Sequence, residues 1–166
     1  RELLLREGLP EERIVVTGNT VVSAVSRALT QGAVQADQAL GDLGLTTGNF
    51  ALATIHRPEN TDHRAQFESV LLSLAGIAAT VCPVVVPLHP RARKRAEEMG
   101  LLAEAAGLLL VEPLGYDLFV GLSARAAFTV SDSGGVQEES SVWKRPVLVV
   151  RRSTERPEVQ GTFAEL

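Results

Sequence analysis

The segment Ala126-Ala127-Phe128-Thr129-Val130-Ser131-Asp132-Ser133-Gly134-Gly135-Val136-Gln137-Glu138-Glu139 reads as a strand, a turn and the start of a helix. Ala126 to Val130 is short and apolar enough for a strand buried on both faces, and Val136, Glu139 and Val142 carry the helix beyond the glycines. The same unit recurs on either side. Phe50 to Ile55 ends at His56; beyond the loop Arg57 to Thr61, the residues Phe67, Val70, Leu71, Leu74, Ile77, Ala78 and Val81 mark a helix with one buried stripe, and Asp62 is placed to cap it. Val84 to Leu88 precedes a basic helix from about Arg91, and Leu108 to Val111 precedes a helix after Gly115. Pro146 to Val150 is a final strand. At the start, Ile14 to Val16 reads as a strand, Thr17-Gly18-Asn19-Thr20 as a turn, and Val21, Val22, Val25 and Leu29 as a helix; a polar stretch from Gln35 to Gly48 follows. Short strands alternating with helices predict a doubly wound, Rossmann-like α/β domain with a parallel sheet and right-handed crossovers.

Composition bounds the function. The 166 residues suit one domain. Sixteen Lys and Arg against 20 Asp and Glu give a net charge of −4, so no basic field attracts nucleic acid or an anionic membrane, and any anion must be held locally. No apolar run approaches the ~20 residues of a membrane span. The one cysteine, Cys82, cannot form an internal disulfide; it reads as a small buried residue and fits a cytoplasmic location. His56, His63 and His89 have no paired ligand spacing, so no metal site is expected. Both ends read as cuts through a longer protein, with a hinge to another domain near residues 1–20.

Ligands of open parallel sheets bind beyond the carboxyl ends of the strands, where the unusual polar residues of this chain fall. Ser133, Gly134 and Gly135 offer a hydroxyl, close backbone approach and the free amides of a helix start, which suits a diphosphate; Glu138 or Glu139, a turn further on, is placed to accept from ribose hydroxyls. The alternative is a tight turn with a serine cap. His56-Arg57-Pro58-Glu59-Asn60 follows the second strand; His56 is a candidate hydrogen-bond donor to a leaving phosphate, or a general acid, while Arg57 and Glu59 either contact ligand or pair with each other. His89 and Arg91 face the cleft if their strand ends at Leu88, with Arg93 to Arg95 a solvated face. Arg156 and Glu158 either close over a sugar, brace a domain interface or decorate a surface loop, and Phe119 is either core or a stacking partner for a base.

Taken together, Val16-Thr17-Gly18-Asn19-Thr20, His56 to Asn60, Pro87-Leu88-His89-Pro90, Asp132 to Glu139, and Thr154 to Glu158 with Gly161-Thr162 resemble the non-hydrolysing UDP-N-acetylglucosamine 2-epimerases. The resemblance implies the C-terminal half of a two-domain fold of the glycosyltransferase-B type, with the N-terminal domain absent and the C-terminal end truncated. It implies that Ser133, Gly134 and Gly135 bind diphosphate, Glu139 binds ribose, Phe119 lies near uracil and His56 is an active-site histidine. Arg57, Glu59 and His89 match positions near a regulatory UDP-N-acetylglucosamine, though Pro58 and Arg91 depart from the usual residues there. The implied reaction interconverts UDP-GlcNAc and UDP-ManNAc by eliminating UDP and adding it back, without a redox cofactor, in a homodimeric full-length protein. The acidic acid/base residues belong to the N-terminal domain, so this chain alone is expected to be inactive. A UDP-sugar-dependent glycosyltransferase domain and a non-catalytic nucleotide-binding module are the alternatives.

Overall fold

The computed structural model describes residues 1–153, 161 and 164–165. Helix α1 (Glu2–Arg6) and a 3-10 turn (Glu11–Arg13) precede α2 (Val21–Gln31) and α3 (Ala33–Asp42). The remainder alternates: β1 (Ala51–Thr54), the one-turn α4 (Pro58–Thr61), α5 (Arg64–Thr80), β2 (Val84–Pro87), α6 (Pro90–Glu98), a 3-10 turn (Leu102–Ala105), β3 (Leu109–Val111), α7 (Tyr116–Arg125), β4 (Phe128–Ser131), α8 (Gly134–Trp143), β5 (Val147–Val149) and β6 (Ala164–Glu165).

The strands form one sheet in the order β3-β2-β1-β4-β5-β6, and every pairing is parallel. The chain runs outward from β1 through β2 to β3, then returns to place β4 on the other side of β1, so the direction of winding reverses between β1 and β4. Their register sets Thr54 against Ser131, which brings the residues after both strands to the same crevice.

Side chains alternate along each strand, and here both faces are covered. Ala51, Ala53, Val84, Val86 and Val130 pack with Phe67, Val70, Leu71 and Leu74 of α5 and Ala92 and Ala96 of α6. Phe50, Leu52 and Val85 point the opposite way, to Ala36 and Leu40 of α3 and Leu122 of α7. Beyond them, Val147 and Val149 meet Val25 of α2 and Val136 and Trp143 of α8. Fully burying a large apolar side chain such as Phe67 or Leu74 contributes about 1.5–3 kcal/mol. Where α2 meets α3, the chain comes so close to α7 that a Cβ on Gly32 would lie 2.0 Å from the Asp117 carbonyl oxygen, and one on Gly121 2.9 Å from Ala36 Cβ.

Several expectations are corrected. Ile14 to Val16 is no strand: the segment pairs with no strand among the described residues, and Val15 and Val16 are exposed. The polar stretch after Gln35 is mostly helix α3, whose buried side is Ala36 and Leu40. Asp62 does not cap α5. His63 holds that position without a side-chain cap bond, and Asp62 instead accepts from Arg91 at 2.9 and 3.0 Å and lies 3.7 Å from Arg95. Arg95 also bonds Glu98, Lys94 lies near Glu98 and Arg93 near Glu112, so the basic face of α6 is paired as well as solvated. Cys82 is half-buried against the α5 side of the core, and burial pushes its thiol up from its ordinary value.

Candidate functional site

The crevice between the ends of β1 and β4 is organised by Asp132. Its side chain is 0% exposed, and its carboxylate accepts from the His56 amide at 3.1 and 3.3 Å, the Arg57 amide at 2.9 Å and Asn60 Nδ2 at 3.0 Å. His56 Nδ1 lies 3.0 Å from Asp132 Oδ1. Burial works to raise the Asp132 carboxyl, but bonds from His56, Asn60 and the Arg57 amide outweigh it and hold the group below the ordinary carboxylate range. In return, the bond to Asp132 raises the His56 imidazole above its ordinary value, against the opposing pull of burial.

These bonds also shape the loop. Arg57 is the extended residue ahead of α4, and Pro58 takes the first helical position, where its fixed φ and missing amide fit. The single turn that follows buries Asn60 and Thr61. Asn60 Nδ2 also donates to the Val150 carbonyl at 2.9 Å, so one amide ties the loop after β1 to the loops after β4 and β5.

A cavity of about 330 Å³, within the usual size of a small-molecule site, opens beside this loop. It is lined by His56 and Thr61 from the β1 end, His89 and Arg91 from the β2 end, and Leu114 and Phe119 from beyond β3. His89 Nδ1 accepts from the Arg91 amide at 3.2 Å at the start of α6. Phe119 lines the cavity and also packs, partly buried, against the core.

The Ser133 turn stands at the neighbouring strand end and is not among that cavity's lining residues. Ser133 occupies the N-cap position of α8, yet its hydroxyl makes no cap bond, so a serine cap does not describe this turn. Neither Gly134 nor Gly135 has a positive φ. A Cβ on Gly135 would meet only Ser133 Oγ at an ordinary 3.7 Å, so the protein's own packing does not call for glycine there. The first amides of a ten-residue helix start here, the place where an anion is favoured. Further along α8, Glu139 accepts from Tyr116 Oη at 3.0 Å. Burial raises the Glu139 carboxyl, with the Tyr116 bond opposing, and burial together with that carboxylate pushes Tyr116 up to about 12. Asn19, held in the turn after Gly18 (φ +82°), donates to Glu138 at 3.3 Å, which brings the Thr17 to Thr20 motif against the same helix.

His89 and Glu59 line different cavities. Glu59 pairs with Arg151 at 3.4 Å rather than with Arg57, and lines a second cavity of about 800 Å³ with Asn60, Gln66 and Arg152. Arg57 lines neither cavity; its contribution here is its amide. Arg156 and Glu158 lie outside the described residues. Asp132 and Asn60 lay within the motifs read from the sequence but were given no role of their own, although an aspartate directly after the strand beside β1 is a readable signal for the first; Tyr116 and Arg151 were not singled out. Among the described residues no helix is long and apolar enough to cross a membrane, and no cluster of His, Cys, Asp and Glu is arranged to hold a metal ion.

The sheet order and its crevice define the class: a doubly wound, Rossmann-like α/β domain that presents its polar machinery where the winding reverses. Within that class the chain belongs to the UDP-N-acetylglucosamine 2-epimerase family, whose model matches residues 1–163. A UDP-N-acetylglucosamine 2-epimerase from Salmonella typhimurium is 39% identical over 165 residues, covering 95% of this chain and 43% of its own length. One from Methanocaldococcus jannaschii is 34% identical over 168 residues, covering 98% and 46%. A crystal structure of the M. jannaschii UDP-GlcNAc 2-epimerase in complex with UDP-GlcNAc and UDP is similar with a TM-score of 0.79 at 32% identity, covering 98% of this chain and 46% of that one. The chain therefore spans less than half the length of these relatives.

Proposed function

We propose that this chain is the nucleotide-holding half of an enzyme that interconverts UDP-GlcNAc and UDP-ManNAc. The observation that carries the reading is the meeting, at the β1/β4 crevice, of an imidazole braced by a buried carboxylate with an uncapped, glycine-lined helix start. The UDP-GlcNAc and UDP bound by the M. jannaschii relative support the same ligand class.

In this reading the diphosphate sits on the amides of Ser133, Gly134 and Gly135, with the Ser133 hydroxyl donating. Glu139, steadied by Tyr116, accepts from the ribose, and Phe119 lies near the uracil. Removal of the proton at carbon 2 drives the C1–O bond to break, its electron pair leaving on the β-phosphate oxygen of UDP. His56, kept more protonated by Asp132, donates to that oxygen, and the helix start stabilises the charge that develops there. Re-protonation of the 2-acetamidoglucal on the opposite face and return of UDP complete the inversion. Oxidation state is unchanged, so the reading needs no redox cofactor. Carboxylates from the part of the family members that this chain does not match would handle the carbon 2 proton, so residues 1–166 alone bind UDP without turnover. Arg57, Glu59 and His89 are proposed as regulatory contacts and Arg156 and Glu158 as sugar or interdomain contacts; the full-length protein is proposed to be a cytoplasmic homodimer.

Calorimetric titration of the chain with UDP tests the site. Binding should weaken by roughly tenfold or more in Ser133→Ala and in Glu139→Ala, each of which loses hydrogen bonds to a charged or polar ligand group at about 1.5–3 kcal/mol. Unaltered affinity in both variants would sink the site assignment, and turnover of UDP-GlcNAc by this chain alone would refute the assignment of the carbon 2 chemistry to carboxylates outside it.

A further inference from the structure

The His56 side chain is about half exposed, and free in water it would sample both tautomers and many orientations. In the fold Asp132 Oδ1 stands 3.0 Å from its Nδ1. We infer that Asp132 is a positioning residue that fixes His56 with Nδ1–H bound and Nε2 left for the cleft, and that Asn60 is the residue that sets the Asp132 carboxylate for this task. The inference rests on the reading of His56 as the group that serves the leaving phosphate.

Three observations carry it. First, the carboxylate has no freedom: Oδ2 accepts from the His56 and Arg57 amides and from Asn60 Nδ2, while Oδ1 faces His56 Nδ1 at 3.0 Å. Second, the ring and the acceptor come from neighbouring strand ends, with Thr54 registered against Ser131, so the pair is placed by the sheet and not by a flexible loop. Third, Asn60 is only 3% exposed and its amide bridges Asp132 and the Val150 carbonyl, so that its two protons have defined acceptors and its position is set from β5. A buried carboxylate is retained at several kcal/mol of desolvation only when its bonds compensate. Holding the loop would require the two backbone amides alone; the bond to Nδ1 is the surplus that specifies a tautomer.

Long-range proton–nitrogen correlation on chain labelled with ¹⁵N-histidine reads the tautomer directly. In the wild type, neutral His56 should be the Nδ1–H form and should titrate above the ordinary value of about 6.5. Asp132→Asn should remove the Nδ1–H preference and return the midpoint to that value or below, and Asn60→Ser should shift both in the same direction. UDP affinity should stay within about threefold in Asn60→Ser, because neither side chain touches the nucleotide in the proposed site. A neutral Nε2–H form in the wild type overturns the inference without any variant, which covers the case of Asp132→Asn failing to fold. So does a His56 whose tautomer and midpoint are unmoved in Asn60→Ser while thermal stability falls, since that pattern belongs to a merely structural carboxylate. The nucleotide reading fails separately, on the UDP titration of the wild type.

Discussion

Adding one methyl group at three glycines tests the packing that holds the candidate site. Gly76 lies inside α5 with nothing within 4 Å of the position a Cβ would take, so Gly76→Ala gains only helix propensity, about 0.8–1 kcal/mol. Gly121 lies inside α7, where a Cβ would meet Ala36 Cβ at 2.9 Å and the Gly32 carbonyl oxygen at 3.1 Å. The same propensity gain is then set against overpacking of about 1–3 kcal/mol, so Gly121→Ala should be neutral to about 2 kcal/mol destabilising. Gly32 joins α2 to α3, and its Cβ would lie 2.0 Å from the Asp117 carbonyl oxygen and 2.6 Å from the carbon. The obstacle is backbone, which cannot rotate away, so the cost should reach about 3 kcal/mol or more with little offset. With a urea slope of about 2 kcal/mol/M, the midpoint should rise by roughly 0.5 M in Gly76→Ala and fall by roughly 1.5 M in Gly32→Ala, with Gly121→Ala between. Because Asp117 neighbours Tyr116, Gly32→Ala should also weaken UDP binding. A Gly32→Ala midpoint within about 0.2 M of the wild type would refute the claim that this junction is closed by steric contact.

The His56–Asp132 pair should leave a mark on stability against pH. The raised His56 contributes fully below its ordinary 6.5 and loses that contribution as pH rises through its higher folded value; the lowered Asp132 contributes above its ordinary 3.8 and loses it as pH falls through its lower folded value. The difference in urea midpoint between wild type and Asp132→Asn should therefore be largest between these two ordinary values and shrink on both sides; a difference flat from pH 3 to 9 would contradict the linkage. Tyr116→Phe removes the hydrogen bond that opposes burial at Glu139, so that carboxyl should titrate higher still and UDP affinity should fall by about 2- to 12-fold, checked by calorimetry.

The strands were legible because a parallel sheet buried on both faces leaves short unbroken apolar runs, and the five from Phe50 onward all fall where β1 to β5 stand. Helix α3 was hidden because its inward positions are Ala33, Ala36 and Ala39 beside a single Leu40, so its period carries little hydrophobic contrast against Gln35, Asp37 and Gln38. Ile14 to Val16 shows the converse failure: β-branched residues favour extended backbone, but a strand also needs a partner, and propensity alone does not supply one. Ion pairing was the least legible level. Glu59 finds Arg151 and Asp62 finds Arg91, partners far along the chain, where spacing had suggested Arg57 and a helix cap.

The same distinction explains what was visible of the site. Ser133-Gly134-Gly135 is local: its backbone amides and its helix start are consecutive residues, so a motif can represent it. The state of His56 is non-local, since it depends on a carboxylate that lies 76 residues away in sequence and is aligned by the β1–β4 register. A histidine after a strand is therefore an ambiguous sign by itself, and it acquires a direction only from the strand beside it. In this fold the switch of winding between β1 and β4 is what brings the two together, so the topology that opens the crevice also sets the imidazole beside its carboxylate.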